Sequence, residues 1–368
     1  MKWTILILTV ATVFALAWIH GLRWLYRVKG KRPQRLQAQG QDGWKLAVYF
    51  RPATYRRYQE PILLCHGLAS NHYNLDFIPP YSLAHFLSDA GYDCYTVEWR
   101  GTGASRAPPP GKKPWDYTID DQINFDAPAL LQLALLNSQA SSAFWLGHSL
   151  GGLIGYAAAQ TSSVTQIKGL ISLGAPLFFI DDRLLNRAIR LLALAAWPHQ
   201  FRQRLSSIGL APFLGRIPLP FSDVMINPLH VPAVLQRQLY PTLMESIGRK
   251  VLLQFRDWVV HDVFRSYDLK IDYRAGLGKI PLPLLVIGGS SDRLASPAAV
   301  RAGYALAETS DKTLFIFGKD RGDQQNYGHG DLLFGTGAPS EVYPVITDWL
   351  NARASTWHPP PTPNPAIF

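Results

Sequence analysis

The spacing of apolar residues changes character several times along the chain. "WTILILTVATVFALAWI", Trp3 to Ile19, is seventeen residues without a charge, about 25 Å of helix at 1.5 Å per residue and enough for the lower edge of a membrane span. "RLQAQGQDGWKLAVYF" alternates polar and apolar positions on either side of Asp42-Gly43, the pattern of a β-hairpin with its turn at that dipeptide. Beyond it, short apolar runs that read as strands ("PILLCHG", "YDCYTVEW", "SAFWLG", "IKGLISLG") alternate with helical patterns ("YSLAHFLSDAG", "DAPALLQLALL", "LGGLIGYAAAQ"). The alternation resumes with "PLPLLVIGG", "PAAVRAGYALA", "KTLFIFG" and "SEVYPVITDWLNAR". Strands buried on both faces and separated by helices form a mostly parallel sheet with helices on either side, an α/β fold.

From Leu177 to Lys279 the rhythm stops. "RLLNRAIRLLALAAW" and "GRKVLLQFRDWVVHDVF" are helical in pattern, Pro-rich links join them, and Arg, His or Pro interrupts every apolar run. These runs are too short to span a membrane. Inserted between two strands of one sheet, such a segment forms a helical cap above the sheet edge. The expected organisation is an anchor with its basic flank at 1–35, the core in two parts at 36–176 and 280–355, the cap at 177–279, and a Pro-rich extended tail at 356–368. No internal repeat is found.

With 48% hydrophobic and 17% charged residues, the chain has material for a large core, which excludes global disorder. Its net charge of +10 is local: +7 lies in residues 1–35, −1 in 36–176, +6 in 177–279 and −2 in 280–368. Without a nucleic-acid motif beside it, the N-terminal charge points to a membrane surface rather than to nucleic acid. Arg23, Arg27, Lys29, Lys31, Arg32 and Arg35 all follow the apolar segment. Such charges resist translocation, so the segment reads as an uncleaved single-pass anchor with the body on the cytoplasmic side. A cleaved signal peptide with its site near Ala15-Leu16-Ala17, which would make the protein secreted, is the alternative. Cys65 and Cys94 fall inside strands as small apolar filler. No disulfide framework, metal-ligand spacing or cofactor fingerprint is present.

The candidate chemistry begins at "GHSLG", Gly147 to Gly151. A strand precedes this G-x-S-x-G and a helix follows it, so the chain must turn sharply and leave the Ser149 hydroxyl exposed above a helix N-terminus. A serine nucleophile needs a base, and the base needs an orienting acid. In the chain order for this motif, serine then acid then histidine, Asp292 follows the strand "LLVIGG" and His329 sits in "NYGHGDLLFG" after the next strand. Asp320 and Asp323 follow the wrong strand for the acid, and His66, His148 and His261 lie in other contexts. Oxyanion donors are assigned to the backbone N–H groups of Leu150 and of Leu68 in "HGLAS".

The segments "CHGLASNHYNLDF", "YSLAHFLSDAGYDCYTVEWRGTGAS", "NFDAPALL", "GHSLGG", "GGSSDRLASP" and "YGHGDLLFG" together resemble the α/β-hydrolase superfamily, and within it the acid-lipase-like branch and similar bacterial esterases. The resemblance covers most of residues 60–176 and 280–352 and little of the cap. It implies hydrolysis of carboxylic esters, often of lipids, through an acyl-enzyme, with Ser149 as nucleophile, Asp292 as acid and His329 as base, without cofactor or metal. The secreted location of the animal members does not carry over, given the basic flank. Polyester synthases share the pattern with cysteine at the elbow; serine at 149 favours water as acceptor, with an acyltransferase or a non-catalytic lipid- or protein-binding scaffold as the other readings.

Three further expectations concern supporting residues. "WRGTGAS" reads as a structural turn in which Arg100 binds backbone carbonyls, and Asp120, Asp121 and Asp126 as first-turn helix charges rather than metal ligands. Tyr73, Phe77 and Trp115 are either walls of an acyl pocket or ordinary packing.

Overall fold

The computed structural model describes residues 2–29, 33–179, 189, 191, 199–201, 203–217 and 222–359. The N-terminal segment is one helix, α1 (Lys2–Leu25), whose first seventeen residues are all exposed. The hairpin forms where the alternation placed it. β1 (Gln34–Gln39) pairs antiparallel with β2 (Lys45–Arg51), and Gly43 takes the left-handed conformation at the turn.

The remaining core elements follow in order: β3 (Ile62–Cys65), α2 (Leu83–Ala90), β4 (Cys94–Val97), α3 (Ile119–Asp121), α4 (Ala127–Ser138), β5 (Ala143–His148), α5 (Leu150–Ala158) and β6 (Ile167–Leu173). After the inserted segment come β9 (Leu284–Gly289), α10 (Pro297–Leu306), β10 (Lys312–Phe317), α11 (Asp331–Phe334) and α12 (Ala338–Asn351). Eight strands make one sheet in the order β1-β2-β4-β3-β5-β6-β9-β10, and from β4 to β10 every neighbour is parallel. The period of two sorts the strand side chains onto two faces. Leu63, Cys65, Tyr95 and Trp145 pack under α4 and α5; Ile62, Leu64, Phe144 and Leu146 pack under α2 and α12.

Between β6 and β9 the described chain is mainly helical: α6 (Gln203–Leu210), α7 (Ser222–Met225), α8 (Ala233–Leu243) and α9 (Arg249–His261). It also holds a two-residue antiparallel pair that the hydropathy pattern does not reveal, β7 (Gln200–Phe201) with β8 (Ile247–Gly248). Strands this short carry no periodicity to read. The pattern "RLLNRAIRLLALAAW" lies outside the described residues apart from 189 and 191, as does the tail from 360 on.

Two expectations need correction. Arg100 binds carboxylates, not carbonyls: it is fully buried, pairing with Asp126 at 2.7 Å and with Asp42 at 2.9 Å. Asp126 is accordingly no first-turn charge. It is buried at the end of a π-turn, where the Arg100 guanidinium fork and backbone N–H compensate the desolvated carboxylate. Asp120 and Asp121 do occupy the first turn of α3, where Asp121 and Thr118 form a capping box.

Candidate active site

Ser149 sits between β5 and α5 at φ 53°, ψ −120°, a conformation costly for any residue with a Cβ. The chain tolerates it because its neighbours are small. A methyl group on Gly147 would lie 2.2 Å from the carbonyl carbon of Gly151, and one on Gly151 would lie 2.2 Å from the Cys65 oxygen. Both glycines are therefore demanded by close backbone approach at the bend. Ser149 N–H donates to Leu173 O at 2.8 Å, which ties the elbow to the end of β6.

Asp292 and His329 come to this same sheet edge from two later loops. Asp292, just past β9, is buried; its Oδ1 accepts from the N–H groups of Leu294 and Ala295, each at 2.8 Å. Its Oδ2 is left for the ring, and His329 Nδ1–H donates to it at 2.9 Å. The ring lies over Gly174, directly after β6: a Cβ on that glycine would sit 3.5 Å from His329 Cε1 and Nδ1. With Nδ1 protonated and engaged, Nε2 carries the lone pair. Among the described residues no hydrogen bond joins the Ser149 hydroxyl to the ring; such contacts are often long without substrate.

Gly67, at the end of β3, lies against the elbow, since a Cβ there would come within 3.0 Å of the Ser149 Cβ. Among the described residues, the N–H groups of Leu68 and Leu150 have no protein acceptor. Two unengaged donors flanking a half-buried hydroxyl suit an oxyanion.

Several residues beyond the sequence-derived set brace these loops. His148 Nδ1 lies 3.0 Å from Asn74 Oδ1 and its Nε2 lies 3.3 Å from His329 O, while Asn74 Oδ1 also accepts from Gly67 N–H. One histidine and one asparagine thus link the loop after β3, the elbow and the His329 loop. Asp331 is buried and accepts from Gly328 N–H and Asn227 N–H; Gly330 N–H donates to Met225 O at 2.7 Å. These contacts hold the His329 loop against α7. Burial raises the Asp331 carboxyl above its usual range despite those donors. Glu245, before β8, is buried and anchors the other side: its N–H donates to Ala69 O, while its carboxylate takes Asn71, Arg204 and Arg106. The dipeptide "HS" and the flanking "GD" were the available hints. Nothing local to 245 announces its role.

A recess beside His329 and His148 is lined by Met225, Ile226, Leu239, Tyr240, Leu243 and Phe334, apolar groups from α7, α8 and α11. Tyr73, Phe77 and Trp115 are not among its walls. Phe77 packs in the core against Phe334, Tyr73 tilts against His72, and Trp115 stacks on His199. Asp320 and Asp323 lie in the loop after β10, and Asp323 caps Gly318 N–H there. His261 is exposed at the end of α9.

Acid sensitivity follows from two buried imidazoles. His66 Nδ1–H donates to Gly67 O at 2.8 Å and its Nε2 faces Trp99 N–H and the Thr102 hydroxyl; burial pushes its pKa down to about 4. His148 is pushed well down by burial and by neighbouring His329. The unfolded chain protonates both near pH 6.5, whereas folded His66 stays neutral to about pH 4. The stability these groups confer is complete above pH 6.5 and is lost as pH falls toward 4, by about 3 kcal/mol for His66. Thermal melts from pH 7.5 to 4.5 are expected to show a falling Tm, with a shallower fall in His66→Gln; a Tm that rises on acidification contradicts this.

The profile of the alpha/beta hydrolase fold matches residues 60–319. The chain is similar to triacylglycerol lipase 1 of Arabidopsis thaliana, 25% identical over 354 residues that cover 87% of this chain and 88% of that one. It is 30% identical to the gastric triacylglycerol lipase of Homo sapiens over 354 residues, covering 84% and 86% of the two chains. In three dimensions it resembles a soluble variant of the monoglyceride lipase of Saccharomyces cerevisiae, with TM-score 0.63 at 18% identity over 90% of this chain and 99% of that one.

Proposed function

The chain belongs to the alpha/beta hydrolase fold family, and from that premise we propose a membrane-anchored serine hydrolase that cleaves carboxylic esters with apolar acyl groups. Relatives of matching length include triacylglycerol lipases, and ester hydrolysis is the activity assigned here. In the proposed cycle His329 Nε2 takes the Ser149 proton as the hydroxyl oxygen attacks the ester carbonyl. Asp292 holds the ring in the tautomer that leaves Nε2 free, and the Leu68 and Leu150 N–H groups receive the oxyanion. His329 returns the proton to the departing alcohol, leaving an acyl-Ser149. Water, deprotonated at the same nitrogen, then releases the acid. The apolar side chains beside His329 are the ones an incoming acyl chain would meet.

The observation that carries this reading is the Asp292–His329 contact of 2.9 Å at the sheet edge that bears Ser149. α1 is read as the anchor, with its basic flank retained on the cytoplasmic side. A fluorophosphonate probe followed by a p-nitrophenyl ester series from acetate to palmitate tests the function. Labelling and preferred turnover of medium or long acyl groups are expected; a folded chain that is neither labelled nor active on any ester overturns the assignment.

A further inference from the structure

The last turns of α1 differ from the rest of that helix. Leu22 is 6% exposed, and Ile19 and Tyr26 are half-buried, a spacing that places all three on one face. That face rests on α6, where Ile19 Cδ1 comes within 3.7 Å of the position a Cβ would take on Gly209. Val28 continues the contact against the cluster that includes Leu239 and Leu243 of α8. Residues 2–18 then project alone, about 25 Å of helix.

Directly after Gly209 the chain alternates inward and outward. Ile208, Ala211 and Leu214 are buried, while Leu210, Phe213 (43%) and Ile217 (52%) are exposed beside exposed Arg216. On α1 and just past its end, Trp18, Arg23, Trp24 and Arg27 are exposed, with the Arg27 guanidinium 5.4 Å over the Trp24 ring. Tryptophan, aliphatic side chains and arginine at the end of an apolar helix are the composition of a bilayer interface.

We infer that the segment from Leu210 to Ile217 is a second membrane contact, its exposed apolar side chains entering the boundary between headgroups and acyl chains of the leaflet from which α1 emerges. The inference rests on reading α1 as the anchor. The occupant is set by continuity: Gly209 fixes α6 to the helix at the level where it leaves the lipid, so the residues that follow lie at that surface. Arg216, Arg23 and Arg27 supply the complement to anionic headgroups. The same segment backs onto the acyl recess. A Cβ on Gly215 would come 2.6 Å from that of Ala233, at the start of α8, which lines the recess with Leu239 and Leu243. One layer of helix, about 10 Å, then separates the leaflet from the proposed acyl pocket.

The full chain is reconstituted in phosphatidylcholine vesicles doped with phosphatidylglycerol, in three variants that each add one cysteine, Phe14→Cys, Phe213→Cys or Tyr55→Cys, carrying an environment-sensitive fluorophore. Native Cys65 and Cys94 are buried and their thiols pushed up by that burial, which leaves them unlabelled. Brominated acyl chains are expected to quench the probes at 14 and 213 but not at 55. Quenching at 14 without quenching at 213 overturns the second contact and leaves the anchor standing; quenching at neither removes both. As a second readout, Phe213→Asp with Ile217→Asp is expected to slow turnover of a vesicle-embedded long-chain ester about tenfold, the effect of withdrawing one well-buried apolar side chain from lipid, while a soluble butyrate ester is cleaved at the wild-type rate. Equal losses on both substrates overturn the inference.

Discussion

Ser149→Ala is expected to lower kcat on a p-nitrophenyl ester by roughly 10⁴-fold or more and to abolish fluorophosphonate labelling, with Tm unchanged or slightly raised. The substitution removes one oxygen and keeps the Cβ, so the elbow's packing survives: the Gly147 and Gly151 approaches and the Ser149 N–H bond to Leu173 are all backbone features. What is lost is the hydroxyl at the elbow, beside the unengaged Leu68 and Leu150 N–H groups. Titrating activity against labelled fraction in the wild type and melting both chains checks the two halves together. A variant that still turns over ester at the wild-type rate puts the nucleophile elsewhere.

Asp292→Asn is expected to cost about 10⁴-fold in kcat and to slow fluorophosphonate labelling, while leaving substrate binding and folding nearly intact. The reason lies in how the carboxylate is held. Oδ1 accepts from both Leu294 and Ala295 N–H groups, so an asparagine must keep its oxygen there and turn its NH₂ toward His329. Two donors then face each other across the 2.9 Å contact, and the ring escapes by moving its proton from Nδ1 to Nε2. The lone pair that should accept the Ser149 proton disappears. Measured kcat and KM for a soluble ester check this: a fall in kcat at constant KM is the expected pattern, whereas a modest loss carried by KM shows that Asp292 does not set the tautomer.

Much of the architecture was legible because each element announced itself locally. The hairpin at Asp42-Gly43, the buried runs of β3, β5 and β9 and the helix ending at Gly91 rest on periodicity and turn chemistry, which nearest neighbours dictate. The serine elbow was equally readable from its motif, although only Gly147 answers to a clash a few residues away; Gly151 avoids the Cys65 oxygen far upstream. Arg100 and Asp126 were misread for the opposite reason. Asp42, Arg100 and Asp126 are 26 or more positions apart, and nothing in a string of residues says which charges are buried together.

The chain order of serine, acid and histidine on an α/β alternation was enough to nominate Ser149, Asp292 and His329 and to predict the parallel sheet, because motif and periodicity are local properties of sequence. Which groups steady the candidate site was decided only by folding. Glu245 holds Ala69 across 176 positions, His148 reaches the carbonyl of His329, and Gly209 seats the N-terminal helix on the inserted segment. Such pairings follow from the close packing of a three-dimensional interior, in which distance along the chain no longer limits what touches.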